Sequence, residues 1–306
     1  MFLVLKRGIL NPSAWMLMFA AIATLVTFYD PTIELEQNTY NYVVIFDITQ
    51  SMNTHDYKVD GMPSDRLSFA KKTLRNTLQD IPCGSQIGLG IFSNKEILLL
   101  FNPIEVCKNF SILDDVIAHI DWRMTWAAQS NIRRGLYNSL RTLSRLPEKP
   151  HIVFMTDGES TVQDFRPAPF HRLSKKIKGM IIGVGGHIPT PIPKLDQENT
   201  LMGYWKKEEI SILHHTPDES GSDTGYYLST VDQTHLQNLA TLTGLHYYHL
   251  ETIEHFKQAL FVDEFATKRR VNDDIRWVFG LLAMTLVLAT YLPNLLVRKN
   301  LPNNDG

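Results

Sequence analysis

Cysteine is scarce in this chain, charge is sparse, and neither sign of charge dominates. Two cysteines among 306 residues exclude a disulfide-rich scaffold and an all-cysteine zinc site, while leaving room for one bridge. Thirty Lys and Arg stand against 32 Asp and Glu, a net charge of −2. That balance provides no summed positive field of the kind that binds nucleic acid or another polyanion. Charged residues make up 20% of the chain and hydrophobic residues 44%, so a sizeable core is available and disorder is excluded. The chain has no phosphate-cradling glycine loop, no His-Glu-x-x-His helix and no nucleophile elbow. It also lacks internal repeats and low-complexity tracts.

The shortage of charge is local. Ser13 to Tyr29 carries none, with Lys6 and Arg7 before it and Asp30, Glu34 and Glu36 after it. As a helix this span measures about 26 Å, near a hydrocarbon core of ~30 Å. A cleaved signal peptide is the alternative, because Ala21-Ile22-Ala23 resembles a cleavage site. The apolar run continues past it to Tyr29, however, which favours an uncleaved anchor. A second apolar span runs from Trp277 to Leu292 and on through Leu295, Leu296 and Val297 to Arg298 and Lys299. The expected organisation is a cytoplasmic N-terminus (1–12), a transmembrane helix (13–29), a domain over 30–270, a second transmembrane helix (277–297) and a cytoplasmic tail (298–306). Both short tails are basic, so the positive-inside rule places the central domain outside the cytoplasm. Lys268, Arg269, Arg270 and Arg276 oppose this, but on a long translocated loop local charge weighs less.

Between the anchors, strand and helix patterns alternate, which predicts an α/β, doubly wound, Rossmann-like domain with a largely parallel sheet. Tyr42–Phe46 reads as a strand buried on both faces, and Pro63 to Gln79 as a helix with Leu67, Ala70, Leu74 and Leu78 on one stripe. Gln86–Phe92 and Glu96–Asn102 flank Ser93-Asn94-Lys95 as one antiparallel hairpin. Further helical stripes are Leu113/Val116/Ile117/Ile120 and Ile132/Leu136/Leu140. His151–Met155 and Met180–Val184 read as strands. The stretch at about 186–230, rich in Pro, Gly, Ser and Asp, reads as an elaborated loop or small β insertion. Val231–Leu242 follows as a helix, Gly244 as its C-cap, His246–His249 as a strand, and Thr252–Lys268 as a helix leading to the membrane.

Two strand ends carry the chemistry. The first continues into Asp47-Ile48-Thr49-Gln50-Ser51, and a later one ends in Met155-Thr156-Asp157-Gly158. In an open α/β sheet both would converge on the crevice outside the carboxyl ends of the strands. Hydroxyls with few carboxylates suit a hard divalent cation and leave it able to accept one further anion. This pattern resembles the von Willebrand factor A (VWA) domain with its metal-ion-dependent adhesion site (MIDAS). Asp47 matches the first signature position, Thr49 stands where serine is usual, Ser51 matches the third, and Asp157 matches the last carboxylate. Ser130, in Ser130-Asn131-Ile132, stands where the family has threonine, with Thr125 as the alternative. The resemblance spans about residues 40 to 265. It implies Mg2+ or Ca2+ at Asp47, Thr49, Ser51, Ser130 and Asp157, and a protein partner that offers Asp or Glu to the metal.

Finer motifs, from Asp47 to Tyr57 and through Asp65-Arg66-Leu67, Pro82-Cys83-Gly84-Ser85, Glu105-Val106-Cys107 and His119 to Met124, resemble the membrane-bound Mxa-cluster VWA proteins of the MxaL type. More distantly they resemble the Bat-type proteins associated with MoxR ATPases. The resemblance implies a non-enzymatic accessory factor on the bacterial inner membrane, with its VWA domain facing the periplasm. It would assist maturation of methanol dehydrogenase through calcium insertion and work beside other membrane VWA or Mxa-type proteins. An adapter for a MoxR-like AAA+ ATPase is the alternative, and a metal-dependent hydrolase is a third reading. A dehalogenase-like phosphatase would need a carboxylate two residues after Asp47, where Thr49 stands.

The hairpin register places Cys83 and Cys107 opposite each other at its open end, a disulfide that requires an oxidising compartment. Unpaired buried thiols are the alternative. His55, Asp56, Trp122, Arg123 and Trp126 fall near the expected rim and are candidates for partner contact, Arg and Trp being enriched at binding hot spots. The histidines show no metal-ligand spacing. His214-His215 are adjacent and diverge, while His246 and His249 alternate with tyrosines.

Overall fold

The computed structural model describes residues 12–59, 61–127, 129–160, 177–209, 225 and 227–299, with side chains to residue 291. The expected cytoplasmic ends fall almost wholly outside these residues, as do His214-His215 and the middle of the insertion. The described residues form two compact units, one made of those up to Gln37 together with those from Arg269 onward, and the other Asn38–Lys268.

In the larger unit β2 (Asn41–Asp47), β5 (Gln86–Ser93), β6 (Glu96–Glu105), β7 (His151–Thr156), β8 (Gly179–Gly183) and β13 (His246–His249) form one sheet in the order β13-β8-β7-β2-β5-β6. All neighbours are parallel except β5 and β6. The uninterrupted apolar run in β2 has a simple cause, because both faces of the strand are covered. Tyr42, Val44 and Phe46 join a cluster with Leu67, Leu74, Leu113, Ile117 and Leu260. Val43 and Ile45 join the opposite cluster with Ile132, Leu136, Leu140, Leu236 and Leu239. Period-2 alternation thus sends successive side chains to two different cores. The first core is roofed by α2 (Arg66–Leu78), α3 (Phe110–His119) and α6 (Ile253–Leu260), the second by α4 (Ile132–Leu143) and α5 (Gln233–Thr243).

Local chemistry sets several boundaries differently from expectation. Helix α2 starts at Arg66, because Asp65 is its N-cap and accepts the Ser68 amide at 2.7 Å. Pro63 lies instead in β4 (Met62–Ser64), paired with β3 (Tyr57–Val59). The expected helix over Thr252–Lys268 is only α6. Beyond it the chain turns and enters β14 (Thr267–Asp274), which pairs with β1 (Thr32–Thr39). The insertion carries two small antiparallel pairs, β9 (Thr190–Pro191) with β12 (Leu228–Ser229) and β10 (Pro193–Leu195) with β11 (Leu201–Tyr204).

The hairpin turns at Asn94 and Lys95, with Asn94 at φ 62°. Near the turn Ser93 faces Glu96, and two register shifts further along bring Gln86 opposite Glu105. Just beyond, Cys83 and Cys107 form the disulfide, with Cα atoms 5.3 Å apart.

In the smaller unit α1 (Pro12–Val26) and α7 (Arg276–Lys299) meet through small residues, with Ala20, Ala23 and Ala283 buried together. The helical stretch Pro12–Tyr29 is long and apolar enough to cross a membrane, whereas the described apolar part of α7, Arg276–Tyr291, is shorter.

Candidate functional site

Strands β2 and β7 are neighbours at the middle of the sheet, so the loops that leave their carboxyl ends share one crevice. Asp47, the last residue of β2, is fully buried. Its Oδ1 accepts the Thr49 amide at 2.9 Å and the Thr49 hydroxyl at 2.6 Å, and its Oδ2 accepts the Thr156 hydroxyl at 2.6 Å. Thr49 Oγ1 lies 3.3 Å from Ser51 Oγ. Asp157, also fully buried, accepts the Glu159 amide and a hydrogen bond from the Ser51 side chain. Asp47, Thr49, Ser51 and Asp157 therefore form one connected set of oxygens.

Ser130 reaches the same crown by another route. Asn131, which caps α4, donates its amide to Asn94 at 2.6 Å, and Ser130 Oγ donates to the Glu159 carbonyl at 3.0 Å. Thr125 is engaged elsewhere. Its hydroxyl pairs with Ser93 Oγ at 2.6 Å and donates to the Ala127 carbonyl.

The sequence reading did not identify Arg66 as part of this site. Its side chain is 0% exposed. Nη1 donates to Asp157 Oδ2 at 2.9 Å and to Ser229 Oγ at 2.6 Å, while Nε and Nη2 both donate to Asp56 Oδ2, at 2.9 and 2.7 Å. Asp56 therefore does not line the rim as expected. Its side chain is 6% exposed and serves as the buried counter-ion of Arg66, also accepting the Gly186 amide at 2.8 Å. Glu159, also missed, accepts the Thr230 amide at 2.9 Å. The root of the insertion is thereby tied to the crevice on both sides, at Gly186 and at Ser229-Thr230. Only the short Asp56…Arg66 spacing and the position of Arg66 beside the α2 cap could have hinted at this.

Among the described residues, Asp47, Asp56, Asp157 and Glu159 share this region with one guanidinium, so acidic groups outnumber basic ones there. Burial, with the mutual repulsion of Asp47 and Asp157 behind it, raises the pKa of Asp47. Asp157 is also raised by burial, against the pull of Arg66. Burial and the charge of Asp157 push Glu159 up to about 8. A divalent cation fits this donor set, because it would offset the excess charge and draw on hydroxyls that the buried carboxylates already orient. Arg66 occupies one oxygen of Asp157, so that carboxylate is already partly neutralised.

The other rim candidates divide. Trp126 (45% exposed) and His55 are open to solvent. Trp122 Nε1 donates to Asn199 Oδ1 at 2.6 Å, and Arg123 donates to the Gln197 carbonyl and to Asp121. These two residues thus hold the 196–200 turn of the insertion.

No protein-family model matches the sequence, and no curated protein matches it. Among solved structures, the chain is similar to an aerotolerance-related membrane protein from Bacteroides fragilis NCTC 9343. The TM-score is 0.50 at 16% identity, covering 72% of this chain and 95% of that one. It is also similar to the conserved hypothetical protein BatB from Bacteroides thetaiotaomicron, with TM-score 0.49, 15% identity and coverage of 71% and 95%. A von Willebrand factor type A protein from Catenulispora acidiphila gives a TM-score of 0.38 at 10% identity, covering 80% and 43%. The first likeness shows a shared α/β fold.

Proposed function

We propose that this chain is a membrane-anchored, metal-dependent docking protein of the VWA type, an accessory or maturation factor rather than an enzyme. The observation that carries this is the convergence of Asp47, Thr49, Ser51 and Asp157 at adjacent strand ends, in a buried region where, among the described residues, carboxylates outnumber cations. The hydroxyls of Thr49, Ser51 and Ser130 would hold Mg2+ or Ca2+, with Asp47 and Asp157 as the charged partners. When bound, the ion supplies a coordination position that an Asp or Glu of the partner completes. Asp47 fixes the Thr49 hydroxyl, and Arg66 fixes Asp157.

Two anchors are supported by the apolar residues that α1 and α7 turn outward, among them Trp15, Phe19, Ile22, Trp277, Leu281 and Leu288. A surface of this kind suits lipid. A periplasm-facing domain on the bacterial inner membrane is supported by the basic tails and by the Cys83–Cys107 bridge, which needs an oxidising compartment. The client follows from resemblance alone. It is a periplasmic enzyme, methanol dehydrogenase with its calcium being the specific candidate, and other Mxa-type membrane proteins would be fellow partners. A cytoplasm-facing adapter of a MoxR-like ATPase is the reading that a reversed topology would impose.

A crosslinking pull-down from membranes, with and without EDTA, tests the mechanism. Partner capture is expected to need the metal and to be lost in Asp47→Ala; capture unchanged in both would refute it. Reporter fusions at residue 40 and at the C-terminus test the orientation.

A further inference from the structure

One side-chain nitrogen joins the oxygen set of the crevice to the insertion. Arg66 Nη1 donates to Asp157 Oδ2 at 2.9 Å, to Ser229 Oγ at 2.6 Å and, more loosely, to the Ser51 carbonyl at 3.4 Å. Asp157 and Ser51 are candidate ligands, whereas Ser229 ends β12, where the chain leaves the insertion. The other nitrogens of the guanidinium serve a different carboxylate, Nε and Nη2 both donating to Asp56 Oδ2 at 2.9 and 2.7 Å. Asp56 in turn accepts the Gly186 amide, where the chain enters the insertion. Arg66 is therefore shared between the exit of the insertion and its entry.

The two carboxylates are unequally used. Asp157 is crowded, because its Oδ1 accepts the Glu159 amide at 3.1 Å, the Ser51 side chain adds a further bond, and Oδ2 holds Nη1. On Asp56 two donors fall on Oδ2, while Oδ1 is buried and has no hydrogen-bond partner among the described residues. A guanidinium and a carboxylate pair best as a fork, with one N–H on each oxygen. With Nη1 committed to Asp157 and Ser229, Arg66 does not complete that fork. Filling Oδ1 needs no access from solvent, since the donor group already sits on the other oxygen of the same carboxylate. A divalent cation drawing on Ser51 and Asp157 would meet a guanidinium that touches both residues. The side chains of Arg66 and Asp157 are both 0% exposed, so water does not screen them, and like charges repel strongly in such surroundings.

We propose that Arg66 is a two-position latch between the metal crevice and the insertion. In the empty crevice Nη1 bridges Asp157 and Ser229. When a divalent cation takes over Asp157, Arg66 withdraws to a full fork on Asp56, Oδ1 included, and lets go of Ser229. The entry of the insertion stays held at Gly186, while its exit keeps only the weaker ties of Ser229 and Thr230 to Glu159 and of β12 to β9. The proposal rests on the reading of the crevice as a metal site and gives that site a consequence: the docking face has one shape when empty and another when loaded. Because such coupling is reciprocal, whatever loosens Nη1 beforehand must tighten the ion by the same factor.

The test uses the full chain in detergent, titrated with MgCl2 and with CaCl2 by calorimetry, and followed by amide hydrogen exchange and mass spectrometry in EDTA and in saturating ion. On loading, exchange over residues 228–231 should quicken at least threefold while the peptide that contains Gly186 is unchanged. A domain that merely tightened around an ion would slow both. Ser229→Ala removes one acceptor of Nη1 without touching a candidate ligand, so it should bind the ion at least threefold tighter and show fast exchange at 228–231 already in EDTA. Arg66→Met should bind it at least tenfold tighter and lose the ion-dependent change at 228–231; where it does not fold, Ser229→Ala decides alone. Ion binding by the parent with exchange at 228–231 unchanged or slowed, or a Ser229→Ala protein that binds as the parent does, would overturn the latch and leave the metal site standing. No binding of either ion by the parent or the variants would overturn the metal reading, and the latch with it.

Discussion

Replacing Arg66 by methionine removes the only guanidinium that, among the described residues, meets the carboxylates of the crevice, while keeping a long apolar stem in place. The structure sets the size of the effect. Asp157 is 0% exposed and Asp56 is 6% exposed at the side chain, and both contact Arg66 at 2.9 Å or less. Breaking a buried ion pair from one side typically costs about 3–5 kcal/mol, because the remaining charge is left uncompensated. Here one substitution removes the counter-ion of two carboxylates, which keep only hydrogen bonds from Glu159, Ser51 and Gly186, and takes one partner from the Ser229 hydroxyl. Protonation of the buried Asp157, whose pKa burial already raises, caps the loss, so Arg66→Met should destabilise by about 3–5 kcal/mol at pH 8 and by less at pH 5. That is a large share of a domain stability of roughly 5–15 kcal/mol. Arg66→Lys keeps the charge, but one ammonium does not reproduce the fork that serves Asp56 and Asp157 at once, so an intermediate loss is expected. Urea unfolding of the full chain in detergent, followed by circular dichroism at both pH values, measures this. Excess Mg2+ or Ca2+ should recover part of the deficit, since it offsets Asp157 and not Asp56. A variant within about 1 kcal/mol of the parent at pH 8 would refute the assignment of Arg66 as the electrostatic centre of the crevice.

Two further outcomes follow from the same geometry. In EDTA, stability should rise as the pH falls from 8 toward 5. Glu159 titrates near 8 when folded, above its ordinary 4.5, so the folded state holds a proton that the unfolded chain releases. The slope is up to about 1.4 kcal/mol per pH unit for each such group, and Asp47 and Asp157 act in the same direction. Saturating Mg2+ or Ca2+ should flatten it, and a urea midpoint that falls on acidification in EDTA would contradict the charge accounting. In the second core, a Cβ at Gly135 would sit 2.0 Å from Phe92 Cε2. Gly135→Ala should therefore lose about 1–3 kcal/mol by overpacking despite its better helix propensity. A neutral or raised urea midpoint would show that the α4–β5 contact is looser than drawn.

What could be read from the sequence was what short segments determine by themselves. The Tyr42–Phe46 run is apolar because β2 is buried on both faces, and a strand of that kind ending in Asp47-Ile48-Thr49-Gln50-Ser51 needs no distant information. The Cys83–Cys107 pairing was reachable because a hairpin fixes its own register, and the two shifts along it still end with the cysteines opposed. The polar strands β1 and β14 gave no such signal. Their faces are almost wholly exposed, the alternation in β1 is limited to Ile33 and Leu35 and β14 carries a single apolar residue, Val271, and the two strands lie more than 200 residues apart. The helix pattern after Thr252 was overextended for the same reason, its last residues belonging to β14 and not to α6. Arg66 was the most consequential omission. In the sequence it is one charged residue after a helix cap, yet its ligands come from positions 56, 157 and 229. Those three segments meet only when the sheet has assembled and the insertion has closed back on it. The same closure changes the meaning of Trp122 and Arg123, which look like free hot-spot residues until Gln197 and Asn199 land on them. The residues that carry the candidate chemistry are thus local and legible. Those that give the crevice its charge balance and its walls are held by contacts across the whole domain, and the insertion is what supplies them.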